Sequence, residues 1–488
     1  MRTLLRLLSI VAVLSWSGRA QAQSVSGQAA VADLDSLLHT LESRSAYLHA
    51  NGYPYAAHLD SLRAAWRDED SVAVRRIALD LRVLIGQLQD GHSDVELGSG
   101  DDFDQGYRAL PFPIALLDER VVALDSTLTG VLVRSHPFVA ALNGVPVERL
   151  LALAGARHRG HGAARYRTRA VRRLRTAGFA LDLAGALRGD TLDVTLAAAP
   201  ASSQPDTTLR LALVRRGPRL FTGLDDAVAA TQLRNDTAYL RIGKMYDAED
   251  PVEAYGYDLV RAAMESEVFA TSRGLLLDVR GNSGGARDVL RYLLPYFITE
   301  PFVYNAAVPR GDTLGLTGRG LFRPDDPRLD AASQAAARAF VEAFRPTWDY
   351  PRTDFLDEVF VAVEPDRPTP YDYADRPVVV LMDAGAFSAT DIFLGAFAEL
   401  PNVTLVGTTS AGGSGRSRWF TLAHSEVRVK LSTMASFRPN GELYDGIGVV
   451  PDVVVPQTLS DLLGTTDTQL LAGHRLLRER IREREAGR

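Results

Sequence analysis

Cysteine is absent from all 488 residues, which excludes disulfides, thiol nucleophiles and cysteine-ligated zinc or iron–sulfur centres. Lysine is almost absent: Lys244 and Lys430 are two of 54 basic residues, and the other 52 are arginines. A lysine base, Schiff base or phosphate-loop lysine must therefore be one of those two. Neither sits in a GxxxxGK[ST] string, so a P-loop enzyme is excluded. There is no internal repeat, and beyond the N-terminus no stretch reaches 18 uninterrupted apolar residues, so no later transmembrane helix is expected. A net charge of −6 gives no global case for nucleic-acid binding.

What is present begins with a leader. Arg2 and Arg6 form a positive start, LLSIVAVLSW a short apolar centre, and Ala20-Gln21-Ala22 a small-x-small cleavage site, so residues 1–22 read as a secretory signal peptide. An uncleaved membrane anchor is the other reading of the segment. Cleavage before Gln23 removes Arg2, Arg6 and Arg19, moving the formal charge from −6 to −9. Export to the periplasm or the medium is expected, with no integral membrane segment left.

The length allows two to four domains at roughly 150 residues each. Residues 23–107 are expected to form an N-terminal helical domain. Leu34, Leu37, Leu38 and Leu41 keep helical spacing, as do Ile77, Leu81, Leu84 and Leu88. Gly91 is the expected C-cap of the second helix, with His92 directly after it. Residues 108–218 change to short alternating segments, a β-rich unit that contains FVAALNGVPVERLLAL, a strand, an Asn-Gly turn and a helix. Between 219 and 460 the runs AYLRIG, GLLLDVR, PVVVLMD and VTLVGTT alternate with helical stretches at 252–268 and about 389–399. That pattern predicts an α/β layered domain. Residues 300–375, rich in proline and charge, predict an insertion or lid, and 461–488 a charged helical tail or frayed end. Eight arginines between Arg157 and Arg175 read as an arginine-rich helix face rather than an anion patch. His158 and His161 lack a nearby carboxylate, so no metal site is expected there.

Two strand-to-turn junctions can carry chemistry. GLLLDVRGNSGG runs a buried strand into Gly281, Gly284 and Gly285, whose backbone N–H groups can approach an anion or oxyanion; it lacks dinucleotide GxGxxG spacing. PVVVLMDAGAFSATDIFLGAFAEL ends a strand at Asp383 and starts a helix at Ser388. Ser388 with Asp391 makes an S-x-x-D capping box. A serine at such a turn also suits acyl transfer, with the Ala389 N–H donating to an oxyanion.

Four motifs in order, LLLDVRGNSGG, FSATD, VGTTSAGG and RPNGELYDGIGVVPDV, resemble the C-terminal processing (tail-specific) peptidase family over roughly residues 236–456. ALNGVPVERLLAL resembles the ligand-groove part of that family's PDZ domain. The resemblance implies an α/β fold: a crotonase/Clp-like spiral ββα protease core with an N-terminal helical domain and a PDZ-like domain. One branch of the family takes its base from a lysine 25 residues after the serine. Here that position is Gly413; Arg416 cannot deprotonate at neutral pH, and Lys430 lies in a segment where the family carries a non-catalytic lysine. The other branch resembles the tricorn protease core and retinoid-binding-protein modules and uses a histidine from a D-G-H-S motif. Asp90-Gly91-His92-Ser93 fits it.

The resemblance then implies an exported serine endopeptidase acting on unfolded or C-terminally recognised polypeptides. Ser388 is the expected nucleophile and His92 the base, a role that suits histidine because its unperturbed pKa lies near working pH. Asp445 is the expected third residue, where the family usually has glutamate, and Glu442 is the alternative. Ser93 is a possible accessory group, and Gly284 or Gly285 with Ala389 the expected oxyanion donors. No metal or organic cofactor is implied, and the oligomeric state is open. Two rivals stand beside this reading: a non-catalytic ligand- or peptide-binding module on the same scaffold, and a small-molecule esterase or amidase.

Overall fold

Four of the apolar runs form one parallel sheet. Thr237–Ile242, Gly274–Asp278, Val378–Met382 and Val403–Gly407 lie side by side in that order. Val228–Leu233 pairs antiparallel at one edge and Val453–Val454 parallel at the other. The runs are largely apolar on both faces because both faces are covered. On one face Val260, Met264, Phe297, Phe393 and Phe397 form the main core. On the other, Leu477 and Ile481 of helix Thr468–Ala486 pack on Leu276, Val379 and Leu381. The tail is therefore a covering layer of the α/β domain, not a frayed end, and that domain does not stop at residue 460.

The structure is a computed structural model that describes residues 24–487 except 51, 89, 99–105, 118, 156–162, 199–205, 219–226 and 234–236. The leader, His158 and His161 lie outside the described residues. Among the described residues no helix is long and apolar enough to cross a membrane.

The expected insertion is only partly one. Phe302–Pro309 pairs with Phe360–Glu364 and with Met434–Phe437 in a second, antiparallel sheet. Both outer segments of 300–375 thus belong to the framework. Their strands are buried almost throughout, so they lack the alternation that would have revealed them. The added part lies between them and includes helix Ala331–Ala343 and Trp348.

At the N-terminus, helices Gly27–Arg44, Tyr55–Arg67 and Val74–Ile85 bury Leu34, Leu37 and Leu41 against Ile77, Leu81 and Leu84. Ser26 Oγ accepts from Ala29 N at 3.2 Å and caps the first helix. The unit is not separate from the rest. Asp94–Glu96 adds a strand to the hairpin Ser417–Thr421/Arg428–Ser432, whose Val427, Val429 and Leu431 enter the helical core. The boundary expected at residue 107 therefore cuts one hydrophobic cluster that sequence separates by more than 300 residues.

In the β-rich unit, Ile114–Leu117, Arg120–Ala123, Phe138–Leu142, Thr191–Ala197 and Thr207–Ala212 form an antiparallel sheet with Ile114–Leu117 at one edge. Asn143 and Gly144 both have positive φ, the type I′ hairpin turn that Asn-Gly favours. In helix Ala163–Leu174, Arg167 pairs with Glu148 inside this unit, while Arg169 and Arg173 pair with Asp94 and tie the unit to the N-terminal one. Those arginines serve structure, as a helix face.

Candidate active site

The strand Val378–Met382 ends at a turn, and helix Ala389–Phe397 begins immediately after Ser388. Ser388 itself has φ 62° and ψ −119°. A non-glycine residue held there is strained, and the surroundings must enforce it. They do so through Asp391, whose carboxylate accepts from Ser388 N at 2.9 Å, Gly412 N at 3.2 Å, Gly413 N at 3.0 Å and the Ser410 hydroxyl. One buried side chain thus fixes the serine turn and the 410–413 loop behind it. The aspartate reaches all four donors.

The second junction locks onto the first through Asn282. Its Oδ1 accepts from Gly284 N and Thr390 Oγ1, its Nδ2 donates to Ile242 O, and its own carbonyl accepts from Phe387 N. The N–H of Gly284 is therefore committed at 2.9 Å and is not an oxyanion donor, which corrects that expectation. Gly284 matters for space instead. A Cβ there would meet Phe387 O at 2.5 Å, Ser388 Cβ at 2.7 Å and Ala389 N at 3.0 Å, at a φ of +96°. The Gly285 N–H makes no hydrogen bond among the described residues, and Ala389, first in its helix, has no intrahelical acceptor. Gly284→Ala is expected to push the serine turn out of place and lower reaction at Ser388 at least about a hundredfold, the scale of a 1 Å misplacement. Labelling rate and thermal midpoint measured together separate this from global unfolding.

His92 comes from the other end of the chain, and its Nε2 lies 3.1 Å from Ser388 Oγ. Asp90 Oδ1 builds the turn that delivers it, accepting from His92 N at 2.9 Å, Ser93 N at 2.6 Å and Ser432 Oγ at 2.6 Å. Ser93 Oγ accepts from Ser432 N, so this side chain anchors the turn to strand Arg428–Ser432. The imidazole stacks on Phe387 with centroids 4.6 Å apart and planes at 30°.

That ring explains two glycines. A Cβ on Gly91 would meet Phe387 Cε2 at 2.4 Å, and one on Gly413 would meet the same atom at 2.3 Å. Gly91 is thus not a helix cap. The helix ends at Ile85, a 3-10 turn follows at Gly86–Leu88, and Gly91 lacks a positive φ. It is glycine because Phe387 occupies the space. By the same contact, the position where the lysine branch places its base is filled by an aromatic ring stacked on the histidine.

Asp445 is buried near this turn. Its Oδ2 accepts from Tyr47 Oη at 2.7 Å and from Ser414 N at 3.4 Å. Burial, with the Asp90 charge second, pushes its carboxyl up to about 7. Glu442 is not an alternative: it is bound by Arg438 and Asn440 in a surface turn. Sequence reasoning missed Tyr47, Phe387 and Ser432. Only the glycine pair 91 and 413 hinted at the ring.

A strained serine between two glycine-bearing turns, with a histidine on its hydroxyl, defines a serine-hydrolase class of site. Residues 236–455, a little under half of the chain, match Peptidase family S41. A carboxy-terminal-processing protease of Bartonella bacilliformis (strain ATCC 35685 / KC583 / Herrer 020/F12,63) is 32% identical over 104 residues, 20% of this chain. The match spans 24% of that relative. Among solved structures, mature CPAF complexed with lactacystin is similar with a TM-score of 0.64 at 17% identity, over 94% of this chain and 99% of that one. A second crystal structure of mature CPAF gives 0.64 at 16%, over 94% and 98%. At those identities the likeness concerns the fold.

Proposed function

We propose that this chain is an exported endopeptidase that cleaves polypeptides through Ser388 and His92. The observation that carries the reading is the 3.1 Å contact between His92 Nε2 and Ser388 Oγ, made by residues 296 positions apart. Ser388 attacks the peptide carbonyl while His92 takes its proton and later gives it to the leaving amine. The N–H groups of Gly285 and Ala389 receive the oxyanion. Asp445 supports the base from the cluster around Asp90. The leader at 1–22 supports export.

The core is proposed to be of the spiral crotonase/Clp type and the β-rich unit to act like a PDZ domain. Edge strand Ile114–Leu117 and helix Ala163–Leu174 flank a cavity of about 470 Å³ that also touches Gly281 and Gly385, on the two junction turns. An extended peptide added to that edge would be led toward Ser388, with Arg172 and Arg175 at hand for a carboxylate.

The test uses the mature chain from Gln23 with a phosphonylating probe and an unfolded protein substrate, both followed by mass. A single adduct on the peptide holding Ser388, together with cleavage that the probe blocks, is the expected result. Adduct without cleavage of any polypeptide favours an esterase. No adduct and no cleavage favours a binding module.

A further inference from the structure

Three parts of the chain meet at Tyr47. Its backbone follows the first helix, and the neighbouring Ala46 N donates to Ser432 O at 2.9 Å. Ser432 is the residue that also holds Asp90 and Ser93. The Tyr47 ring is fully buried and stacks on Trp348 of the added segment, with centroids 5.8 Å apart and planes at 26°. Its hydroxyl donates to Asp445 Oδ2 at 2.7 Å. Nothing in the expected catalytic set accounts for this tyrosine, and apolar packing alone would be served by phenylalanine.

The groups it joins are unusual. Asp90 and Asp445 are both buried, and each has one orphaned oxygen among the described residues, Asp90 Oδ2 and Asp445 Oδ1. Burial first, and the Asp90 charge second, disfavour the ionised form of Asp445. The charged groups bearing on Asp445 are Asp90 and, further down, Asp391; no cation is among its main influences. Its ionised form rests on two donors, the Tyr47 hydroxyl and the Ser414 N–H. The tyrosine is the shorter contact.

We propose that Tyr47 is a positioning residue for the reaction, holding Asp445 ionised beside the His92 turn, and that Trp348 of the added segment clamps it in place. This rests on the Ser388/His92 reading and gives the segment between the two outer strands a part in catalysis. Removing the hydroxyl leaves the ring and its packing but takes a donor from the charged form of Asp445. The carboxyl then holds its proton to higher pH, so the acid limb of the reaction moves up.

The experiment is the rate of probe labelling at Ser388 against pH in the full mature chain, for the parent, Tyr47→Phe, Trp348→Ala and Asp445→Asn with and without Tyr47→Phe. Tyr47→Phe is expected to move the acid limb up by about one pH unit, the scale of a lost charge-assisted hydrogen bond, and to return within about twofold of the parent at high pH. Trp348→Ala should move it the same way by less, and in Asp445→Asn the added Tyr47→Phe should change nothing. A uniform loss at every pH, or an unmoved limb with normal folding, overturns the positioning role while labelling of the parent keeps the Ser388 site. If the parent does not label at all, the site reading falls and the role of Tyr47 with it.

Discussion

Ser388→Ala and His92→Ala are each expected to lower peptide cleavage on the order of 10⁴-fold or more, and the double variant no further. The non-additivity follows from the geometry. On the proposed mechanism, the His92 Nε2 at 3.1 Å removes the Ser388 Oγ proton and so makes that oxygen nucleophilic. Without the serine the base has nothing to activate, and without the base the hydroxyl keeps its proton. Losses that simply multiply would mean two independent functions and would sink the proposed pair. The variants should remain folded. Ser388→Ala relieves a strained serine of only its Oγ, because the backbone hydrogen bond to Asp391 is kept. His92→Ala leaves the Asp90 turn intact, since that turn is built on main-chain N–H groups. Thermal midpoints near the parent's, with cleavage gone, are the matching check.

The sequence was most legible where one local pattern decides structure. The four parallel strands announced themselves as runs apolar on both faces, and Asn143-Gly144 as a hairpin turn. The proposed nucleophile was legible because its turn is local: a buried strand, a short glycine-bearing link and a helix start. His92 could be singled out only by its motif, since the pairing of Asp94–Glu96 with Arg428–Ser432 spans the chain. Gly91 misled for an instructive reason. A glycine after a helical stretch usually means a positive φ, but here it means a close approach by Phe387. Phe302–Pro309 was hidden because a fully buried strand between prolines has no alternation to read. Gly284 was expected as a donor on backbone logic alone, which cannot show that Asn282 already takes its N–H. Tyr47 carries no local signal; its partner is 398 residues away.

Asp445→Asn is expected to make the protein more stable above neutral pH and, on the proposed mechanism, much less active. The folded state raises the Asp445 carboxyl from an ordinary 3.8 to about 7, chiefly by burial. A group raised on folding favours the fold most when protonated, below about pH 4. That contribution is lost as pH climbs through the window from about 4 to 7, and above 7 the buried charge carries its full penalty. A shift of about three units corresponds to roughly 4 kcal/mol as an upper scale. Asparagine keeps the shape and an oxygen for the Tyr47 hydroxyl while removing the buried charge. The gain in denaturant midpoint should thus be large at pH 8 and small at pH 4. A destabilised variant at pH 8 would show that the negative charge holds the junction together rather than straining it. On the proposed mechanism, such a charge is retained against its cost because an anion in this cluster stabilises the imidazolium formed when His92 takes the Ser388 proton.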